Sequence, residues 1–322
     1  MKEEILKEIT QASAIIVAGH IDPDGDDVSS VSSMVMGLEK LGKRAIGVID
    51  SQIPDYLKNF QFVNDKIREM SCVEKDPADL LIIVDASSPD RVGKVQQLFS
   101  YRRVVVIDHH ATNLSFGHVN WVDASYASCA QMVLEVLTSL GVEYDKELAT
   151  ANLLGIATDT GFFKYSNVNE KVFNDCAFLL SKKAELSYIT NMILENVPLE
   201  SKLLLKDVLN EMKLVNDNTL AYVAIPREMS TRYGFDPVNV PPFVSELRSI
   251  KGVEVAVTFI EYEKNDWHVS LRSKSNVDVS QVALKYGGGG HVRAAGFSLQ
   301  TGDIKSEIRA IIENIISFMK TR

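Results

Sequence analysis

The fold of this chain is decided by AIIVAGHIDPDGDD, residues 14–27, in which an apolar run leads directly into a histidine and a series of acids. The apolar run predicts a buried strand, so the polar residues after it lie in the loop at the carboxyl end of that strand. Four carboxylates and one imidazole stand between His20 and Asp27, and charges this crowded repel one another unless positive charge lies among them. A divalent metal ion is the simplest source of that charge. For this stretch alone, a polar turn formed by Pro23 and Gly25 is the alternative.

Length and composition limit the class of protein. The chain has 322 residues, of which 46% are hydrophobic, and this length predicts two domains. No run approaches the ~18 apolar residues of a membrane span, and the N-terminus opens an amphipathic helix rather than a signal peptide, so we expect a cytoplasmic protein with no membrane partner. The net charge of -9 argues against long nucleic acid as a partner, because proteins that bind it present a broad basic face. Cys72, Cys129 and Cys176 lack metal-ligand spacing and are predicted to be reduced core thiols.

Apolar runs separated by helical patterns predict an α/β fold for the first domain. The predicted strands are residues 14–18, 44–49, 80–84 and 104–107, and the predicted helices are residues 1–12, 28–41, 127–141, 146–157, 170–182 and 186–195. Strands that are apolar along their whole length suit a mainly parallel sheet flanked by helices on both faces. The carboxyl ends of the strands, and the loops that follow them, would then gather at one edge of the sheet.

The remainder of the chain predicts a helical connector and a smaller α+β domain. An amphipathic run over 199–214 belongs to the connector, whereas 220–225, 253–260 and 267–271 have the patterns of strands, with helices near 279–285 and 303–319. The predicted domains are 1–185 (catalytic and metal-binding), 186–214 (connector) and 215–322 (substrate-binding).

Three further acidic sites follow apolar runs. Asp85 follows one predicted strand, Asp108, His109 and His110 follow another, and Asp159 follows the helical run that ends near residue 157. Since the carboxyl ends of parallel strands meet, these groups are expected to converge with the acids of residues 20–27. A single Asp after a strand is usually a turn or capping residue. Four such sites that include paired histidines are not explained in this way.

These motifs resemble those of the DHH phosphoesterase superfamily. The sequence contains GHIDPDGD, VDAS, DHH and ATDTG in that order, followed by HVSLRSK (268–274) and GGGGHVRAAG (287–296). The last two are similar to the signature of the DHH-associated C-terminal domain. Within the superfamily the chain looks most like the NrnA type, the nano-RNase and pAp phosphatase group, with the related phosphodiesterases of linear dinucleotides such as pApA.

The resemblance implies a site for two divalent metal ions, which activate a water molecule for attack on phosphorus. His20 and Asp24 would hold the first metal ion, Asp26, His109 and Asp159 would hold the second, and Asp85 would bridge the two. Imidazole and carboxylate ligands without a thiolate favour Mn²⁺, with Mg²⁺ or Co²⁺ as substitutes. Asp22 and Asp27 have no place in this ligand set and are expected to be turn residues or supports of the ligands.

The resemblance also assigns roles outside the ligand set. Asp108 would orient the imidazole of His109, and His110 would contact the scissile phosphate or protonate the leaving oxygen. The implied substrate-binding residues are Lys164, Tyr165, Ser166, Asn167, Arg272, Gly287, Gly288, Gly289, Gly290, His291 and Arg293. The family usually has Arg where this chain has Lys164, and Gly where it has Ser29. Because Ser29 would add a side chain near the phosphate, the corner from Asp27 to Ser29 is where we expect an altered substrate preference.

The predicted function is therefore a Mn²⁺-dependent phosphodiesterase that hydrolyses very short RNA, especially dinucleotides such as pApA, to mononucleotides. A 3′-phosphatase acting on pAp shares all of the metal ligands, and the two activities can coexist. Hydrolysis of cyclic dinucleotides, an inorganic pyrophosphatase and a nucleotide sensor without catalysis are the further alternatives. The resemblance also implies a homodimer formed through the first domain.

Overall fold

The computed structural model describes residues 2–68, 70, 78–101 and 103–320. The chain forms two compact units, Met1–Asn196 and Val197–Arg322. Cys129 and Cys176 are buried free thiols, as predicted, whereas Cys72 lies outside the described residues. Among the helices described, none has both the length and the apolar composition needed to cross a bilayer.

The N-terminal unit alternates strands with helices. Its strands are Ala14–Ala18 (β1), Arg44–Val48 (β2), Ile67–Arg68 (β3), Leu80–Val84 (β4), Arg103–Asp108 (β5) and Val119–Val122 (β6). Its α-helices are Lys2–Gln11 (α1), Gly25–Lys40 (α2), Asp55–Lys58 (α3), Gln61–Lys66 (α4), Cys129–Ser139 (α5), Lys146–Asp159 (α6), Glu170–Ser181 (α7) and Leu186–Thr190 (α8), and a π-helical segment, Asn191–Glu195, follows α8. A 3₁₀ segment, Pro89–Tyr101, lies between β4 and β5 and is interrupted at Gly93.

The six strands form one parallel sheet in the order β3-β2-β1-β4-β5-β6. The order reverses between β1 and β4, because β2 and β3 extend the sheet to one side and β5 and β6 extend it to the other. In sheets of this kind, the loops at the carboxyl ends of the two central strands diverge and leave a crevice. The predicted α/β class is confirmed, and the reversal point marks where a ligand site is expected.

Both faces of the sheet are buried, which explains the near-continuous apolar runs. Ile15 and Val17 of β1 belong to the larger core, which includes side chains of α2, α5 and α6. Ile16 and Ala18 point to the opposite face, where the Pro89–Tyr101 segment contributes apolar residues to a second core. Each strand therefore fills two cores with alternate residues.

Helix α2 begins three residues earlier than predicted, at Gly25 instead of Val28. The reason is Asp24, which adopts an extended N-cap conformation and whose Oδ1 accepts the backbone N–H groups of Asp26 (2.9 Å) and Asp27 (3.1 Å). A capping carboxylate of this kind satisfies amides that have no partner within the helix. Asp26 and Asp27 therefore lie on the first turn of a helix, and only the preceding residues form a loop.

The C-terminal unit is the predicted α+β structure. Its strands are Lys213–Val215 (β7), Leu220–Ile225 (β8), Val255–Glu263 (β9), Asp266–Ser273 (β10), Gly289–His291 (β11) and Ala294–Gln300 (β12), in the sheet order β11-β12-β10-β9-β8-β7. Its α-helices are Leu199–Glu211 (α9), Arg227–Thr231 (α10), Val244–Ser249 (α11), Val279–Lys285 (α12) and Ile304–Lys320 (α13), and Pro237–Asn239 is a short 3₁₀ turn. One core combines this sheet with α12 and α13, and another combines it with α9 and α11. The helix predicted over 199–214 ends at Glu211, because Lys213–Val215 pairs with β8.

Candidate metal centre

The predicted ligands converge at the point where the strand order reverses. His20 follows β1, Asp85 follows β4, and His109 follows β5. Two further ligands come from helices, since Asp26 lies on the first turn of α2 and Asp159 is the last residue of α6. The contact between α2 and α6 depends on Gly155, where a Cβ atom would lie 2.6 Å from Asp26 Oδ1. Residues from five separate segments thus meet at one edge of the sheet.

The ligand atoms fall into two groups that share a neighbour. His20, Asp24 and Asp85 each offer an atom within 4.8 Å of the others, and Asp26, His109 and Asp159 do the same. Asp85 lies between the groups, with Oδ2 3.8 Å from His20 Nε2 and Oδ1 3.3 Å from His109 Nε2. The structure therefore brings together all six predicted ligands, with Asp85 between the other two sets.

Backbone carbonyls orient both imidazoles. The Nδ1 atom of His20 lies 2.7 Å from the Ile21 carbonyl oxygen, and Nδ1 of His109 lies 3.3 Å from the Tyr126 carbonyl oxygen. When each Nδ1–H donates to its carbonyl, the unprotonated Nε2 is directed to the carboxylates, which is the tautomer that binds a metal ion. His109 Nε2 is then 3.6 Å from Asp26 Oδ2 and 3.4 Å from Asp159 Oδ2.

The protonation behaviour of the cluster fits a bound cation. Burial, together with the Asp159 carboxylate, raises the pKa of Asp26 to about 7. Burial and the neighbouring carboxylates, of which Asp26 is the largest contributor, also raise the pKa of Asp85 well above its ordinary value. Burial lowers the pKa of His109, so its imidazole is neutral. A cation among these groups would replace the protons that keep the carboxyls neutral.

Two features of Asp85 also fit a metal ion. Its backbone is left-handed, with φ of 57°, which is strained for a residue that has a Cβ atom. Its Oδ1 atom is buried and accepts no hydrogen bond within the described part of the chain. An unsatisfied carboxylate oxygen in the interior is costly. A divalent cation would satisfy this oxygen.

The carboxylate of Asp26 is held in place by the N-terminus of α5. Its Oδ2 accepts the backbone N–H of Cys129 at 2.6 Å, and its Oδ1 accepts that of Ala130 at 2.9 Å. Both amides lie in the first turn of α5, where backbone N–H groups have no partner within the helix and favour negative charge. This ligand is therefore fixed by the protein itself.

Asp108 contacts His110. The resemblance had implied that Asp108 orients His109 instead. Its Oδ1 lies 2.7 Å from His110 Nδ1, and its Oδ2 accepts a hydrogen bond from Asn113 Nδ2 at 2.6 Å. Although burial of Asp108 opposes ionisation, its pKa is lowered to about 2, chiefly by His110. Although burial of the imidazole also opposes a charge, the Asp108 carboxylate raises the pKa of His110 above its ordinary value. His110 therefore holds its proton more firmly than an isolated imidazole.

Asn113 is a residue that the sequence analysis missed. Its Nδ2 donates to Asp108 Oδ2 and to the Ala86 carbonyl oxygen at 2.9 Å, which ties the loop after β5 to the loop after β4. Its Oδ1 accepts the backbone N–H of Ser115 at 2.6 Å. The amide thus fixes the carboxylate that in turn holds His110. Nothing in the sequence separated Asn113 from an ordinary turn residue.

We expect Asn113→Ala to lower kcat by ~10- to 100-fold with little change in KM, because Asp108 would lose the donor that fixes its orientation. Asn113→Asp should lower kcat further than Asn113→Ala, since it places a second carboxylate against Asp108. Steady-state kinetics and thermal melts of both variants check this, with Asn64→Ala as the control because Asn64 likewise donates from its side chain to a backbone carbonyl. A kcat within about threefold of wild type in both Asn113 variants would contradict the positioning role.

Asp27 and Ser29 lie in the interior. Asp27 is fully buried, its Oδ1 accepts the backbone N–H of His20 at 2.9 Å, and burial raises its pKa well above the ordinary value. Ser29 is also fully buried and donates from Oγ to the Ala151 carbonyl oxygen of α6 at 2.6 Å. The expectation that Ser29 lies beside the phosphate therefore differs from the structure, because its side chain packs between α2 and α6. Asp22 is exposed and donates its backbone N–H to Ser51 Oγ.

The segment after the fourth motif combines exposed and structural residues. Lys164 and Ser166 are exposed, as a substrate-contacting role requires. The ring of Tyr165 covers Gly161, where a Cβ atom would lie 2.3 Å from the ring. Asn167 Nδ2 donates to the backbone carbonyl of Asp159 at 3.0 Å. Asn167 therefore supports the turn that carries a predicted metal ligand.

The predicted substrate residues of the C-terminal unit lie on neighbouring strands. Gly289, Gly290 and His291 form β11, while Gly287 and Gly288 precede it. Arg272 is at the end of β10, where Nη1 donates to the Leu271 carbonyl oxygen at 3.0 Å. Arg293 precedes β12, and its Nη1 donates to the Val277 carbonyl oxygen at 2.9 Å. The ligand-binding roles of these residues stay predictions.

Comparison with known proteins identifies the family. The model of the DHH family N-terminal domain matches residues 14–156, and that of the DHHA1 domain matches residues 217–321. The bifunctional oligoribonuclease and PAP phosphatase NrnA of Thermus thermophilus is 34% identical over 314 residues, which are 97% of this chain and 91% of that protein. This chain belongs to the DHH family. The NrnA protein of Bacillus subtilis, with the same description, is 28% identical over 98% of both chains.

A solved structure has the same fold over nearly the whole chain. An exopolyphosphatase-related protein from Bacteroides fragilis matches with a TM-score of 0.87 and 22% identity, covering 99% of this chain and 97% of that protein. The resemblance predicted from the motifs is thus confirmed, as is the fold. As a DHH phosphoesterase, the protein is a metal-dependent hydrolase of phosphoester bonds.

Proposed function

We propose that this DHH protein is a phosphodiesterase that hydrolyses very short oligoribonucleotides, especially linear dinucleotides such as pApA, to mononucleotides. The observation that carries the proposal is the convergence of six carboxylate and imidazole ligands at the reversal point of a parallel sheet. The names of the two NrnA relatives support short RNA as the substrate. The net charge of -9 supports a short rather than a long nucleic acid.

We propose Mn²⁺ as the ion, in two sites. The first would be held by His20 and Asp24, the second by Asp26, His109 and Asp159, with Asp85 between them. The donor set contains imidazole and carboxylate groups and no thiolate, which suits Mn²⁺ and also admits Mg²⁺ or Co²⁺. When bound, such ions neutralise charge on the phosphate and activate water for attack on phosphorus.

Side chains of the protein would supply proton transfer to the leaving oxygen and attraction of the substrate. His110 Nδ1 is hydrogen-bonded to Asp108, so its Nε2 is the atom that would give a proton to the leaving oxygen. The raised pKa of His110 keeps that proton available near neutral pH. Asp108 holds the ring in the tautomer that this transfer needs, and Asn113 holds Asp108. Lys164 is proposed to attract the anionic substrate as a point charge.

Removal of the 3′-phosphate from pAp is a second candidate activity. Both curated relatives are named bifunctional, as oligoribonucleases and PAP phosphatases. The same metal ligands would serve both reactions, because each is an attack on a phosphate ester. A homodimer and a cytoplasmic location also stay predictions of the sequence.

The test is a comparison of rates with purified full-length protein and Mn²⁺ on pApA, a pentanucleotide, pAp and cyclic di-AMP. We expect pApA to be hydrolysed fastest among the RNA substrates and cyclic di-AMP slowest. Asp159→Ala should lose all of these activities, whereas the surface change Asp65→Asn should lose none. A folded, Mn²⁺-loaded protein that leaves every di- to pentanucleotide intact would overturn the proposed function.

A further inference from the structure

Arg91 places a positive charge directly against the metal centre. It lies in the Pro89–Tyr101 segment, and its Nη2 atom is 3.0 Å from Nδ1 of His20. Its Nη1 atom is 4.0 Å from Oδ2 of Asp22, in an ion pair whose side chains are 41% and 50% exposed, respectively. A pair this exposed stabilises a protein by at most ~1 kcal/mol, so it does not account for the position of the arginine.

The contact with His20 is unfavourable once His20 binds a metal ion. In the metal-binding tautomer, His20 Nδ1 carries a proton and donates it to the Ile21 carbonyl oxygen at 2.7 Å. A guanidinium has only donors, so it cannot form a hydrogen bond to that nitrogen. Arg91 also repels a cation held by the same imidazole. The arrangement becomes favourable when an anion binds beside the guanidinium, because its negative charge offsets both positive charges.

The backbone around Arg91 is fixed to the loop that carries His20. The carbonyl oxygen of Arg91 accepts the backbone N–H of Ile21 at 2.6 Å. Two residues later, Gly93 has φ of 57° and packs against Asp50, which accepts the backbone N–H of Lys94 at 2.7 Å. The guanidinium is therefore carried on an anchored backbone, which lowers the entropy lost when it binds a ligand.

We propose that Arg91 binds a phosphate group of the substrate on the His20 side of the metal centre. A guanidinium offers a planar fork of donors that matches two phosphate oxygens, and it stays charged at every working pH. The inference deepens the proposed function and rests on it, because the ligand it names is a phosphate ester. It makes Arg91 a substrate-binding residue that the motifs did not reveal.

The first test measures binding without turnover. Inorganic phosphate and AMP are titrated calorimetrically into the Mn²⁺-loaded full-length protein, its Arg91→Ala and Arg91→Lys variants, and Arg103→Ala. Arg103 is the matched control because it is 43% exposed, pairs with Glu4 and Glu8, and lies at the opposite end of β5 from the metal centre. We expect ~10- to 100-fold weaker binding for Arg91→Ala, a smaller loss for Arg91→Lys and no change for Arg103→Ala.

The second test titrates Mn²⁺ into the substrate-free proteins. Arg91→Ala should bind Mn²⁺ as tightly as wild type or up to ~10-fold more tightly, because an opposing charge is removed. If Arg91 merely supported His20, the same substitution would weaken Mn²⁺ binding. In turnover assays with pApA, KM should rise by ~10- to 100-fold, with kcat within about threefold of wild type.

These outcomes separate failure of this inference from failure of the proposed function. Unchanged phosphate and AMP affinity in Arg91→Ala, or weaker Mn²⁺ binding, would overturn the role of Arg91 even if the enzyme cleaves pApA. If the wild type cleaves no short RNA, the calorimetric comparison still decides whether Arg91 binds phosphate. If Arg91→Ala does not fold, the phosphate, AMP and Mn²⁺ affinities of Arg91→Lys and Arg91→Gln are measured instead. Unchanged phosphate and AMP affinity in Arg91→Gln, or weaker Mn²⁺ binding, would overturn the role of Arg91.

Discussion

Asp85→Asn is expected to abolish Mn²⁺-dependent hydrolysis while it raises the melting temperature of the metal-free protein. The loss of activity should be on the order of 10³-fold or more, because the residue between the two ligand groups would no longer carry charge for either ion. The gain in stability should be ~1–3 kcal/mol, because a buried ionisable group is replaced by a neutral one of the same shape.

The opposite signs follow from the surroundings of Asp85. It is 2% exposed, other acids surround it, and its Oδ1 accepts no hydrogen bond from any residue described. In the metal-free protein the Asp85 carboxyl therefore lowers the free energy of unfolding. It stabilises the folded state only when a cation is bound.

The measurement needs turnover of pApA and thermal melts, each with Mn²⁺ and with EDTA. Wild type should melt higher with Mn²⁺ than with EDTA, whereas Asp85→Asn should show little difference between the two. Asp65→Asn serves as the control, because Asp65 is exposed on α4, away from the sheet edge that holds the ligands. Retained turnover in a folded Asp85→Asn protein would show that Asp85 is not a ligand of both ions.

The second large effect is a loss of stability of the metal-free protein as pH rises from about 6.5 to 8. The pKa of Asp26 is raised to about 7 in the folded state, and that of Asp85 is raised well above its ordinary value. A carboxyl whose pKa is raised by folding binds more protons in the folded state than in the unfolded state. Its contribution is fully present below the unfolded-state pKa of ~3.9 and is lost as pH rises from there through the folded-state pKa, by up to ~1.4 kcal/mol per pH unit for each group.

His20 acts in the opposite direction at lower pH. Burial, with the Arg91 guanidinium, lowers the pKa of His20 to about 4. Between that value and the ordinary pKa of ~6.5, the unfolded state binds more protons, so this contribution is lost as pH falls. Between about pH 4 and 6.5 the carboxyls and His20 act in opposite directions. Above pH 6.5 the carboxyls and His110, whose pKa is also raised, all lose their contribution as pH rises, so the metal-free protein should lose stability most steeply there.

Melting temperatures of the EDTA-treated protein over pH 5 to 8.5, repeated with saturating Mn²⁺, check this expectation. With Mn²⁺ the decline above pH 6.5 should become shallower, because the cation takes the place of the protons on Asp26 and Asp85, whereas Asp27, which is not a ligand, still titrates. Asp85→Asn should show a shallower decline in EDTA than wild type. If EDTA-treated wild type is equally stable at pH 6.5 and pH 8, the cluster does not hold protons in place of metal ions.

The convergence of the candidate ligand side chains could be predicted from the sequence, because a parallel sheet constrains where strand ends lie. His20, Asp85 and His109 each follow an apolar run, and parallel pairing of β1, β4 and β5 forces their loops to the same edge. The resemblance to a family added the division of the ligands into two sets. Both steps depend on residues that are close to a strand end, where the chain has little freedom.

Features that depend on tertiary contacts were not predicted. Strand β6 (VNWV) is too short for its pattern to be distinguished from a loop, and it is identified only by pairing with β5. The early start of α2 depends on the conformation of Asp24, and the roles of Asn113 and Arg91 depend on which groups surround their side chains. A single Asn or Arg in a loop belongs to no repeating hydrophobic pattern and no motif spacing, so the sequence does not reveal such a role.

The two amides that hold Asp26 have a consequence for the choice of ion. Each of its oxygens already accepts a backbone N–H from α5, so this carboxylate has little freedom to adjust to ions of different radius. Asp24 is exposed at the beginning of α2, and although its Oδ1 accepts two backbone N–H groups of that helix, its Oδ2 accepts none from the described residues and is less constrained. A rigid ligand discriminates by ionic size, whereas a mobile one accommodates. Selectivity against larger ions such as Ca²⁺ should therefore reside in the Asp26 half of the centre, and tolerance of several small cations in the Asp24 half.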